Sequence, residues 1–133
     1  VKFKFNLNIG CPKNYRPPKF VIDWVKKNKR KVNIFNDPKK AAKNADVVFS
    51  DKVVSLNDKV NKEKKIKDFK NFRIDSSLMK LTNPKSIFLH CLPRGNEVSE
   101  NVFIGKKSKI WQQALNRLHV QKSILLYSFG KLR

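Results

Sequence analysis

The chain has 133 residues, 40% of them hydrophobic, which suits a single domain with one packed core and excludes a chain disordered throughout. No apolar run approaches the roughly 18 residues of a membrane span, so no membrane partner is expected. The net charge of +21 does not indicate specific nucleic-acid binding, because only six of the 31 cations are Arg and the lysines are spread along most of the chain.

The first third of the chain alternates strand and helix patterns. Polar and apolar residues alternate in the first segment, which is typical of a half-buried strand, and a proline pair opens the helix that follows. Asn36 or Asp37 is the expected cap of a second helix, with Pro38 in its first position. The predicted elements are a strand at 2–9, a helix from Pro17 to about Arg30, a strand at 32–35, the helix from Pro38 and a strand at 46–50.

The remainder of the chain continues the alternation. It predicts a charged helix at 60–70, a short strand at 72–74, a helix at 76–81, a strand at 86–89, a helical turn at 102–104, a short strand at 109–111 and a closing helix at 113–129. Such an order predicts an α/β fold with a mostly parallel sheet and helices on both faces, a Rossmann-like three-layer sandwich. Residues 1–133 are expected to form this one domain.

Cysteine and glycine usage narrows the chemistry. Cys11 and Cys91 are 80 positions apart, which matches neither a disulfide framework nor a metal site. The chain has only four glycines and no Gly-rich phosphate loop, which counts against nucleotide binding. We therefore expect a reduced cytoplasmic protein that needs no cofactor and no metal.

Polar clusters follow two of the predicted strands and open the last helix. His90-Cys91-Leu92-Pro93 follows the strand at 86–89, the segment 51–57 follows the strand at 46–50, and Asn116-Arg117 lies near the start of the closing helix. Because the carboxyl ends of parallel strands share one edge of a sheet, where open α/β sheets bind ligands, we expect Asp51, Ser55 and Cys91 to line one cleft.

These motifs are similar to those of the ornithine carbamoyltransferase family. The chain shares four motifs with the family, in the family's order. They are the Gly10-Cys11-Pro12-Lys13 turn, the Asp51–Asn57 loop, His90-Cys91-Leu92-Pro93 and a helical segment that starts with Asn116-Arg117. Throughout its length it resembles the family's carboxyl-terminal, ornithine-binding domain. The resemblance implies transfer of the carbamoyl group of carbamoyl phosphate to the δ-amine of ornithine, giving citrulline and phosphate in arginine metabolism.

The resemblance also implies roles at the amino-acid end of the substrate. Asp51 would bind the α-ammonium group, Ser55 would contact the α-amino or α-carboxylate group, and Leu56 would complete the pocket. Val53 and Leu56 stand where the family has Trp and Met, so a related acceptor such as putrescine or an acylated ornithine stays open. A basic binding module that kept the fold without the chemistry is the other alternative.

At the reacting end, the resemblance implies that Cys91 lines the side-chain pocket and positions the δ-amine without forming a covalent intermediate. His90 would make a polar contact or orient the loop, and the backbone carbonyl of Leu92 would accept a hydrogen bond from an amine. Arg117 has a fixed charge and five N–H donors, which suit an oxygen that gains charge as its carbon becomes tetrahedral.

The family's amino-terminal domain carries a Ser-x-Arg-Thr phosphate loop that this sequence lacks. The resemblance therefore implies that the chain is half an enzyme and inactive alone, completed by a carbamoyl-phosphate-binding domain in a full-length homotrimer. The closing helix supports this view, since its apolar residues lie on too many sides for one surface to cover. We expect an exposed apolar patch around residues 124–129.

Overall fold

The computed structural model describes residues 5–54 and 61–131 and confirms a mixed α/β fold. Two single 3-10 turns, Lys13–Tyr15 and Lys70–Phe72, accompany the longer elements. In chain order these are β1 (Leu7–Gly10), α1 (Lys19–Lys27), β2 (Val32–Phe35), α2 (Pro38–Ala42), β3 (Val47–Ser50), α3 (Lys62–Phe69), α4 (Ser76–Met79), β4 (Ile87–His90), α5 (Glu100–Phe103) and α6 (Ile110–Ser128).

The strands pair in parallel, as predicted, but as two separate pairs within the described ranges. β1 pairs with β2, and β3 pairs with β4 in a register that places Ser50 opposite His90. Between the pairs lies a cavity of about 380 Å³, whose wall includes Asn8 of β1 and Val48 of β3. The side-chain amide of Asn8 donates to the carbonyl of Ala41 in α2, so a helix contacts this edge of β1.

Local signals in the sequence explain where two of the helices begin. Asp37 precedes α2 and accepts a hydrogen bond from the Lys39 N–H at 2.9 Å, with Pro38 in the first helical position as predicted. Asp75 precedes α4 and accepts from the Leu78 N–H at 2.8 Å. Both caps satisfy N–H groups that have no partner inside the helix.

The hydrophobic core lies around β4. Phe88, in the middle of this strand, is 0% exposed, and Ile110 in the first turn of α6 is 1% exposed. Helices α2, α4 and α5, the residue Ile74 before α4 and the loop before α5 supply the other buried side chains of this core, which are Ala42, Ile74, Leu78, Met79, Val98 and Val102.

Two predicted short strands are wrong. Ile74 makes a single parallel bridge to Val98, and the residues before it form the 3-10 turn. Ser108 likewise makes a single bridge to Phe88, and α6 already begins at Ile110, so 109–111 is not a strand. In both cases a single bridge next to a turn or a helix start stands in place of the expected strand, and periodicity alone cannot assign so short an apolar run.

Helix α6 extends away from the core. Ile110 is its one buried residue, whereas Leu118, Ile124, Tyr127 and, just beyond its end, Phe129 are each more than half exposed. The expected apolar patch at the end of the chain is therefore confirmed. Among the described residues, no helix combines the length and the apolar character needed to cross a membrane.

Candidate functional site

The site is built where β3 and β4 end side by side. Because Ser50 is paired with His90, the next residue of each strand leaves the sheet at the same edge. The Cys91 thiol donates a hydrogen bond to Oδ1 of Asp51, with sulfur and oxygen 2.8 Å apart. Asp51 and Cys91 therefore lie at one edge of the sheet, while the single cleft expected for Asp51, Ser55 and Cys91 stays a prediction.

The contact sets the charges of both groups. The hydrogen bond from Cys91 lowers the pKa of Asp51, and the N–H of Lys52, 2.7 Å from Oδ1, lowers it further. Burial raises the pKa of the Cys91 thiol, and the hydrogen bond to Asp51 raises it more. At neutral pH the pair is therefore a neutral thiol and a charged carboxylate. A thiol in this state is a poor nucleophile.

His90 is enclosed beneath this pair. It is 1% exposed, and its Nδ1 lies 2.8 Å from the carbonyl oxygen and 2.9 Å from the hydroxyl of Ser50. Its Nε2 lies 3.0 Å from a carboxylate oxygen of Glu97, and its backbone N–H donates to the side chain of Gln113 in α6. The imidazole thus contacts neighbouring elements, which fits the alternative that His90 orients the loop.

The loop that follows carries Leu92, which is exposed and precedes Pro93 through a cis peptide bond. Beyond it, the Arg94 guanidinium pairs with Glu100 and lies 4.8 Å from the ring centre of Phe103. Neither Glu97 nor the Arg94–Glu100 pair was among the predicted site residues. In the sequence these residues are marked only by two acidic residues, seven and ten positions after His90, and that signal is too weak to select Glu97 or Glu100.

Arg117 lies on the exposed surface of α6. Gln113, one turn before it on the same helix, bonds to His90, so Arg117 lies one helical turn from the site. No contact of its guanidinium with another side chain is found in the part of the chain that the structure describes. Ser55 and Leu56 lie outside the described residues.

Two cavities open beside Asp51. The 380 Å³ cavity between the strand pairs includes Asp51, Val53 and Glu97 in its wall, but not Cys91, which meets it only through its bond to Asp51. A second cavity of about 790 Å³ shares Val53 and Glu97. Four cations and a second carboxylate also line it, and these are Lys52, Lys67, Lys70, Arg73 and Glu63. Among the described residues no three His, Cys, Asp or Glu side chains are grouped so as to hold a metal ion.

Comparison with known proteins gives a consistent result. The family described as "Aspartate/ornithine carbamoyltransferase, Asp/Orn binding domain" matches residues 1–128. An ornithine carbamoyltransferase from Ruthia magnifica is 42% identical over 127 residues, and one from Nitratiruptor sp. is 45% identical over 132 residues. The crystal structure of the anabolic ornithine carbamoyltransferase of Campylobacter jejuni superposes with a TM-score of 0.81 at 37% identity.

The matches cover nearly all of this chain but less than half of each relative. They include 94% of the chain and 42% of the Ruthia protein, and 95% of the chain and 43% of the Nitratiruptor protein. The Campylobacter match covers 96% of the chain and 44% of that structure.

Proposed function

Since this chain belongs to the aspartate/ornithine carbamoyltransferase family, as its Asp/Orn-binding domain, we propose that it forms the ornithine-binding half of an ornithine carbamoyltransferase. The observation that carries the proposal is the contact between the Cys91 thiol and the Asp51 carboxylate at the carboxyl ends of β3 and β4. It places a fixed negative charge and a neutral thiol together, next to a cavity, where an amine can bind.

The proposed reaction transfers the carbamoyl group of carbamoyl phosphate to the δ-amine of ornithine and releases citrulline and phosphate. Asp51, a carboxylate at neutral pH, binds the α-ammonium group. The Cys91 thiol and the Leu92 carbonyl position the δ-amine, which must be neutral and aligned with the carbonyl carbon to attack it. Ser55 and Leu56 complete the amino-acid pocket.

Donors for the carbamoyl oxygen and the phosphate come from elsewhere. Arg117 extends from α6 toward the carbamoyl oxygen, where a fixed N–H fork stabilises the developing negative charge. An amino-terminal domain supplies the phosphate site, and His90 acts by holding the loop. We place the reaction in arginine metabolism, in the cytoplasm, where the free thiols of Cys11 and Cys91 stay reduced, and in a homotrimer.

The test is a citrulline assay on two proteins. This chain alone should make no citrulline from ornithine and carbamoyl phosphate, whereas the chain joined to the carbamoyl-phosphate-binding half of a relative should make it. Cys91→Ala in the joined protein should lower the rate, and Cys11→Ala, which alters the other thiol, should not. Citrulline from the chain alone, or none from a folded joined protein, would contradict the proposal.

A second acceptor has one observation in its favour. Val53, where the family has Trp, lines both cavities beside Asp51, so the smaller side chain leaves room for a longer or acylated amine. Offering the joined protein ornithine, putrescine and N-acetylornithine in separate reactions distinguishes the acceptors. If none is carbamoylated while the fold is intact, the chain is a binding module.

A further inference from the structure

Glu97 occupies a nearly closed position below the loop that carries Cys91. Its side chain is 8% exposed, although a carboxylate is costly to bury unless it is paired. Oε1 lies 3.0 Å from Nε2 of His90 and accepts a hydrogen bond from the Gly95 N–H at 2.6 Å. One oxygen atom therefore contacts the residue before the 91–94 loop and the residue after it.

The opposite side of the His90 ring extends this connection to β3. Nδ1 of the ring lies 2.8 Å from the carbonyl oxygen and 2.9 Å from the hydroxyl of Ser50, so this side of the imidazole contacts both the main chain and the side chain of the last residue of β3. The network thus runs from Ser50 through His90 to Glu97 and on to Gly95. Ser50 is followed directly by Asp51, and His90 by Cys91, so both ends of the thiol–carboxylate contact are attached to it.

Gly95 allows the carboxylate to come this close. A Cβ added at this position would lie 2.5 Å from Oε2 of Glu97, and the carboxylate would have to move to make room. The backbone of Glu97 is fixed separately, because its carbonyl accepts from the Ile74 N–H at 2.8 Å. The side chain of Glu97 therefore contacts the 91–94 loop, whereas its main chain is bonded to Ile74 of the core.

We propose that Glu97 is a positioning residue, which holds both ends of the 91–94 loop through His90 and the Gly95 N–H and thereby keeps the Cys91 thiol on Asp51. The hold of Glu97 on the loop does not depend on the proposed function. The further step, in which the loop positions an acceptor amine, rests on that function. Glu100 provides a contrast. It lies on the same segment but pairs with Arg94 on the outside of the loop, and it does not contact His90 or Gly95.

The readout is the rate at which iodoacetamide alkylates each cysteine of the purified protein at pH 8, measured peptide by peptide by mass spectrometry. Glu97→Gln keeps the shape of the side chain but removes its charge. If the loop is released, the bond that raises the Cys91 pKa is lost, and alkylation of Cys91 should become about threefold faster or more, because the gain in thiolate outweighs the loss of nucleophilicity.

Two internal comparisons separate positioning from loss of the fold. Cys11 is buried at the end of β1, away from this network, so its alkylation should stay unchanged in Glu97→Gln. Glu100→Gln, the matched control, should leave both cysteines unchanged. Gly95→Ala, which displaces the carboxylate from the loop side, should reproduce the effect of Glu97→Gln.

Asp51→Asn tests whether the effect passes through the proposed contact. This variant should accelerate the alkylation of Cys91 by a similar factor. Adding Glu97→Gln to it should change the rate little further, because the contact between Cys91 and Asp51 is already lost. An unchanged Cys91 rate in Glu97→Gln, equal acceleration of Cys11 or full additivity in the double variant would each overturn the proposal. These results do not depend on citrulline formation, so this inference and the proposed function fail separately.

Discussion

The core around β4 and the helix α6 use apolar side chains in opposite ways. Phe88 is 0% exposed and shares the core with side chains from α2, α4, α5 and the start of α6, whereas Phe129, just after α6, is 74% exposed. Only the first residue of α6, Ile110, belongs to the core. The same chain thus closes one hydrophobic surface completely and leaves another open along most of a 19-residue helix.

The difference shows which part of the domain is complete in itself. A helix with apolar residues on most sides needs two surfaces to cover it. Among the described residues, α6 joins the core through Ile110 and bonds to β4 through Gln113, both in its first turns. We propose that the second surface is the amino-terminal half of the proposed enzyme, since this chain spans only 42–44% of the three relatives named above. In that case the core around β4 determines the stability of this domain, and α6 is stabilised mainly by its contacts with the amino-terminal half.

The largest expected effect comes from opening the core. Phe88→Ala should lower the free energy of unfolding by about 3–5 kcal/mol, because it removes a fully buried ring and leaves a cavity. Phe129→Ala makes the same chemical change at the exposed end of α6 and should stay within about 0.5 kcal/mol of the parent. Urea unfolding of both variants measures the comparison, and similar losses would remove the distinction between the two regions.

Arg117 tests α6 for function rather than stability. In the chain joined to a carbamoyl-phosphate-binding domain, Arg117→Ala should lower kcat for citrulline formation by about 100-fold or more, the usual effect of losing one donor to a developing oxyanion. The unfolding midpoint should not change, since Arg117 is exposed. Arg117→Lys should restore only part of the rate, because Lys lacks the planar fork.

Arg30→Ala is the matched control, because Arg30 is also exposed but lies before β2, at the opposite end of the strands. It should retain the parent rate. Undiminished turnover in Arg117→Ala would contradict the role proposed for that residue, while a lower unfolding midpoint would place Arg117 in the structural core of the domain.

What the sequence predicts well here is local. The Asp37 cap, the strand at Val32–Phe35 and the pairing of Asp51 with Cys91 all follow from neighbouring residues or from the rule that parallel strands end together. The exposed patch on α6 also follows from its own pattern of apolar residues.

The features that the sequence did not predict depend on how distant segments meet. Glu97 becomes part of the site only because the loop turns back on His90. Ser108 takes a single bridge to Phe88 where a strand at 109–111 was expected, because α6 begins at once. The described strands form two pairs, and α2 contacts β1 through the bond from Asn8 to Ala41, neither of which a pattern within a single segment reports.

A smaller effect is expected at the start of α4, which packs in the core and has a side-chain cap that α6 lacks. Asp75→Ala should cost about 1 kcal/mol at pH 7, and Asp75→Asn much less, because Asn can still accept from the Leu78 N–H. Hydrogen bonds from the Ser77 hydroxyl and then the Leu78 N–H lower the pKa of Asp75.

The lowered pKa gives this contribution a pH dependence. It is fully present above the unfolded pKa of about 3.9 and is lost as the pH falls through the lower pKa of the folded state. The difference in unfolding free energy between the parent and Asp75→Ala, measured by urea at pH 7 and near pH 3, should therefore shrink in acid. A difference that is constant or larger in acid would contradict the assignment.

The smallest effect on stability is expected from the open face of α6. Leu118→Ser and Ile124→Ser should each change the free energy of unfolding by less than about 0.5 kcal/mol, because both side chains already contact water. The effect of these substitutions should appear in self-association instead.

An exposed apolar surface of this kind favours contact with another surface, so the parent should self-associate at high concentration and the double variant should associate less. Sedimentation velocity over a concentration series measures this, with Lys122→Ser on the same helix as a polar control. If the double variant loses several kcal/mol and its α6 amides exchange as slowly in the parent as those of β4, the helix packs within this domain, and the contrast between a closed core and an open helix no longer holds.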